Sequence, residues 1–174
     1  MNDFKMDTKL DQQEKMKYPN NNIMENNFEY GLLKDYSLFH EANKDNWTIL
    51  SYLNMNYSID GALAFYKFFI PDFIFKKGCL ILSFRYNETI FNSWYDEMKG
   101  EVSLVERMCN LYEIKDFFHI HETEKVLEKC TYLGEFLKYI WQIHLDKQFG
   151  QEKYEVCTFA EYGSLFITLN SKTS

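Results

Sequence analysis

The chain has 174 residues, 46% of them hydrophobic and 18% aromatic, and carries a formal net charge of −7. That length fits one domain and lets a core form without disulfide or metal staples. The aromatic content excludes a disordered polypeptide, and the negative charge argues against nucleic acid or an anionic membrane as partner.

Residues 1–27 are polar and mixed in charge, with Pro19 followed by three asparagines. They predict a flexible arm ahead of a single domain over residues 28–174. The first residues lack the apolar stretch of a signal peptide, and runs such as CLILSF and FFIPDFIF fall far short of the ~20 residues a membrane helix needs. A soluble cytoplasmic protein is therefore expected.

YGLLKDYSLF and NWTILSYLNM, within residues 28–57, fit helix or strand, and short helices are the preferred reading. Ser58 is a suitable N-cap for a helix to Phe69, along which Leu63, Tyr66 and Ile70 recur at helical spacing with Phe65 and Phe69 beside them. Pro71 ends it, because the residue before a proline is pushed out of the α region. Phe73 to Lys76 and Cys79 to Phe84 then predict a hairpin around Lys77-Gly78. The second strand is apolar at alternate and intervening positions alike, so it should be covered on both faces.

Asn87 caps an amphipathic helix to Met98, with Ile90, Phe91, Trp94, Tyr95 and Met98 in one stripe and Gly100 at its end. Ser103 to Glu106 fits a capping box for a further helix whose buried face is Val105, Met108, Cys109 and Tyr112. The longest helix is predicted from Thr123 to Phe149, on the recurrence of Val126, Cys130, Leu133, Leu137, Ile140, Trp141 and His144, with Gly150 as its stop. KYEVCTF and SLFITLN read as two strands around an E-Y-G-S turn. The fold class expected is α+β: an antiparallel sheet built from two hairpins, with helices packed mainly on one face. Its centre should be the helices of Trp94 and Trp141 against the strand from Cys79 to Phe84.

The nearest thing to a chemical signature is His119-Ile120-His121, followed by Glu122 and Glu124. On a strand, residues two apart share a face and can grip one ion. Here the pair falls between two helical patterns, so a loop is preferred over a metal site. His144 shares a stripe with Leu137, Ile140 and Trp141, which suits a boundary histidine better than a catalytic base without a nucleophile. Cys79, Cys109, Cys130 and Cys157 form no C-x-x-C pair and lie in apolar segments, so reduced, structural thiols are expected, and a nucleophilic Cys109 or Cys130 is the weaker alternative. Glu113 with Asp116, and Glu122 with Glu124, are pairs in sequence only. Phosphate-loop, dinucleotide and hydrolase-elbow motifs are absent. No catalytic residue, metal ligand or cofactor is assigned. Trp94-Tyr95 and Tyr139-Trp141 are weighed as interface anchors against one core and one boundary residue each.

PDF followed by a short turn and GCLIL, a helix carrying F-x-x-W, the E-x-x-x-N of Glu106 and Asn110, and YLGEFLKYIW are landmarks together. On them, the stretch from Tyr57 to about Phe159 resembles a group of small, uncharacterised bacterial cytosolic proteins. The resemblance implies a compact cytosolic domain and supplies no catalytic residue. The expected function is non-enzymatic: an accessory or toxin-neutralising protein whose partner is another protein or a second copy of itself. The alternatives are a small enzyme built from His119, His121, His144 and scattered acids, or a small-molecule-binding module.

Overall fold

The computed structural model describes residues 28–118 and 125–172. The N-terminal arm expected over residues 1–27 and the His119–Glu124 stretch lie outside the described residues.

The ambiguous stretch before Tyr57 is helical. Helix α1 (Tyr36–Asn43) and helix α2 (Ile49–Asn56) are flanked by single 3-10 turns at Tyr30–Leu32 and Lys44–Asn46. Thr48 and Ser51 cap α2 reciprocally, each side chain accepting the other's backbone N–H. Tyr36 and Tyr52 are buried between these helices, and Phe39 stacks on Trp47 at 4.9 Å. Helix α3 (Ile59–Phe69) opens at Ser58, whose hydroxyl accepts the Gly61 N–H at 3.1 Å, and stops before Pro71.

Strands β1 (Phe73–Lys76) and β2 (Cys79–Leu82) pair antiparallel around Lys77 and Gly78. Both turn residues take positive φ, 48° and 84°, which matches the twist of a two-residue hairpin. Helix α4 (Glu88–Glu97) starts where Asn87 Oδ1 accepts the Ile90 N–H. Helix α5 (Val102–Cys109), the short strand β3 (Tyr112–Glu113) and a 3-10 turn at Ile114–Phe117 follow. Helix α6 (Val126–Phe149) ends at Gly150, and strands β4 (Tyr154–Glu161) and β5 (Ser164–Ser171) close the chain around Tyr162-Gly163.

The fold is α+β, with the two predicted hairpins forming two small antiparallel sheets: β1–β2, and β3–β5–β4 with β5 in the middle. Strand β2 is fully buried and divides the core. Leu80 and Leu82 join Leu137, Trp141, Leu145, Ile167 and Leu169, while Cys79 and Ile81 join Phe91, Val105 and Cys109. Burying a side chain such as Trp141 contributes roughly 3 kcal/mol. On α4 the fully buried ring is Phe91, and Trp94 packs beside it half-buried.

The capping box expected at Ser103–Glu106 does not form. Helix α5 starts two residues earlier than that box requires, at Val102, and Glu101 at its N-cap makes no side-chain capping bond. Glu106 is instead 0% exposed and lies between the two sheets. Its Oε1 accepts the Leu80 N–H at 2.7 Å and its Oε2 the Ser171 N–H at 2.6 Å. One turn on, Asn110 Oδ1 accepts the Leu82 N–H at 2.8 Å, and Nδ2 donates to the carbonyls of Leu80 at 2.9 Å and Leu169 at 3.2 Å. A buried strand edge must have its amides paired. Here two helix side chains do what another strand would do, for β2 and β5 at once. Gln142 of α6 treats β4 the same way: its Oε1 accepts the Val156 N–H at 2.9 Å, and its Nε2 donates to the Tyr154 carbonyl at 3.0 Å.

Candidate functional site

Helix α3 is apolar on both sides, and only one side is packed. Phe65, Phe68 and Phe69 face the protein: Phe68 meets Phe117 at 4.5 Å between ring centroids, and Phe69 meets Phe136 at 5.3 Å edge to face. The row that recurs at helical spacing points the other way. Ile59, Leu63 and Tyr66 are 80%, 61% and 57% exposed. A surface helix normally shows polar residues on its outer side. A line of three large apolar side chains there is a candidate interaction surface.

The row leads into a groove of about 850 Å³ between α3 and α6. Ile70, Ile140 and Ile143 supply its apolar wall, and Lys67, Asp72 and Lys147 line it with charge. Lys67 Nζ sits 2.8 Å from an Asp72 carboxylate oxygen, with both side chains well exposed.

His144 also lines this groove, as part of its framework. Its ring lies nearly parallel to that of Phe73, centroids 5.6 Å apart, and Nε2 is 3.2 Å from the Pro71 carbonyl. A carbonyl only accepts, so Nε2 carries the proton and donates it. The ring is thereby fixed against the segment that joins α3 to β1. His119 and His121 lie outside the described residues, as do Glu122 and Glu124. Among the described residues no group of three or more His, Cys, Asp or Glu side chains is placed to hold a metal ion.

The thiols sit in surroundings that suppress reactivity. Burial, the Glu106 carboxylate and Cys109 together push Cys79 up to about 11, and burial raises Cys109 and Cys157 as well. A nucleophilic cysteine needs the opposite, a stabilised thiolate. Cys130 is buried in the main core. Glu113 pairs with Lys115, which holds its carboxyl below the ordinary range. Of the aromatic pairs weighed as anchors, Tyr139-Trp141 splits into core and boundary, and Trp94-Tyr95 does not. Trp141 is fully buried and donates its indole N–H to the Phe68 carbonyl at 3.1 Å, whereas Tyr139, Trp94 and Tyr95 are half-buried. Tyr95 carries the Lys77 ammonium 4.3 Å over its ring.

The outer row of α3 was present in the sequence as Leu63 and Tyr66 but was not distinguishable as a surface. IDGALAFYKFF carries apolar residues on two opposite sides of the helix, a pattern that does not say which side is buried. Comparison with protein families, curated proteins and solved structures finds no match to this chain. No helix among the described residues is long and apolar enough to cross a membrane.

Proposed function

We propose that the protein works without catalysis, by docking another protein chain on the outer row of α3 and the groove beside it, in an accessory or toxin-neutralising role. The observation that carries this reading is the exposure of Ile59, Leu63 and Tyr66 in one line. Covering such a row removes apolar area from water, and the groove at its end accepts an anchoring side chain of the kind that dominates interface energetics. The overall charge of −7 favours encounter with a basic partner.

A photo-crosslinking amino acid in place of Tyr66, in cells that express the protein, tests this directly. The expected product is a covalent adduct to a protein chain, lost when Leu63→Asp is added. Absence of any protein adduct contradicts the proposal. The groove also supports a second reading, an amphipathic small molecule as ligand. That reading predicts a small-mass adduct at the same position and no protein one.

A further inference from the structure

Resting on the reading of α3 as a docking face, we infer that one chain it takes is a second copy of itself, the two α3 helices packing antiparallel about a two-fold axis near Leu63.

The charge beside the apolar row favours a second copy as the occupant. Asp60 and Lys67 are seven residues apart, so they fall within about 20° of each other around the helix, on one flank of the Ile59–Leu63–Tyr66 line. When two helices pack face to face and antiparallel, each flank meets the same flank of its partner. A two-fold axis near Leu63 then sets Asp60 of each copy opposite Lys67 of the other, and Ile59 of each toward Tyr66 of the other. This is the self-complementarity that a two-fold interface demands, in which residue i meets j and j meets i. A parallel arrangement would put the two charged flanks on opposite sides of the contact, where Asp60 and Lys67 of the two copies do not meet.

Two further features agree. Ala62, which borders the row, is short and lets a second helix come close. Lys67 at present pairs with Asp72, but their side chains are 61% and 66% exposed, and such a pair holds its partners weakly. Turning Lys67 toward a neighbouring copy sacrifices little. A contact of one 11-residue helix is short, so the dimer is a weak one, to be read at about 100 μM protein.

The experiment is analytical ultracentrifugation of the full chain and its charge variants. The wild-type protein should self-associate at about 100 μM. D60K and K67E should each weaken this on the order of tenfold, because each places like charges across the axis. Mixed together, these two variants should form a heterodimer, since every cross-axis pair is then opposite in sign. Recovery on mixing is not a result that misfolded variants would give. D72N, which removes only the present partner of Lys67, should associate like wild type.

A wild-type protein that stays monomeric at that concentration overturns the inference, as do variants that associate unchanged or fail to pair on mixing. The crosslinker at Tyr66 separates the two levels of argument. If it still captures a different protein while self-association is absent, the docking face stands and the second copy does not.

Discussion

Glu106 and Asn110 stand one turn apart on α5, and their side chains tie β2 to β5, two strands that do not pair with each other. The carboxylate takes one amide from each strand. The asparagine takes one amide and gives its two N–H bonds to one carbonyl from each. Every polar atom of the two side chains has a partner, which is the condition under which a buried polar link holds a core in one arrangement. The two sheets are joined by this clasp and by shared apolar packing around Leu80, Leu82 and Leu169.

Glu106→Gln is the sharpest test of the clasp. Both carboxylate oxygens accept from backbone N–H groups, so an amide must turn its NH2 toward one of them and leave that donor unpaired. The expected loss is about 1–3 kcal/mol in the free energy of unfolding, measured by chemical denaturation. Asn110→Asp should be at least as severe, since it faces a carboxylate toward the carbonyls of Leu80 and Leu169.

The two sides of α3 should differ in what they contribute to folding. Phe68→Ala removes a ring packed on Phe117 and Trp141, at an expected cost of about 3 kcal/mol. Leu63→Ser, on the exposed row, should change stability by no more than about 0.5 kcal/mol. Paired denaturation curves check both, and a large loss from Leu63→Ser would show that the row is packed.

Gly134 lets α6 pack closely on Leu165 and Ile114. A Cβ there would stand 2.6 Å from Leu165 Cδ2 and 2.7 Å from Ile114 Cδ1. Gly134→Val should therefore destabilise by roughly 1–3 kcal/mol through overpacking. Loss of thermal stability with retained helical circular dichroism is the expected signature.

Alkaline pH should weaken the fold through its buried thiols. Cys79 is raised from 9.0 to about 11, chiefly by burial. A group whose pKa rises on folding stabilises the protein below the unfolded value, and that contribution disappears as pH climbs to the folded one. Stability should accordingly fall between about pH 9 and pH 11, with Cys109 and Cys157 shifted in the same direction. A denaturation series across that window checks it, and Cys79→Ala should flatten the slope.

Much of the architecture was legible from local rules. Ser58 and Asn87 cap their helices through the hydroxyl and amide the sequence offers, and Lys77-Gly78 turns its hairpin because the backbone there needs positive φ. Strand β2 was readable as covered on both faces because residues 79–82 are apolar without alternation. The misreading of Glu106 has an equally physical cause. A serine followed three residues on by a glutamate satisfies the spacing of a capping box, and nothing local reveals that two strand edges, 26 and 65 residues away, need that carboxylate more. The outward side of α3 was hidden for a similar reason. Its periodicity gives two apolar faces, and only the tertiary positions of Phe117 and Phe136 decide which one is inside.

The account rests most on the outer row of α3 being open to water in the isolated chain and covered by protein where the chain acts. Of the four native thiols, burial raises Cys79, Cys109 and Cys157, and Cys130 is buried in the main core. Ala62→Cys places a thiol at the border of that row without removing Ile59, Leu63 or Tyr66. Its rate of reaction with a small maleimide, in dilute purified protein and again inside intact cells that express the protein, measures both halves of the claim. The account predicts a rate near that of a free peptide thiol in the dilute sample and clear protection in the cell. Equal rates in the two settings would contradict docking, and slow reaction in the dilute sample would contradict the exposed row itself.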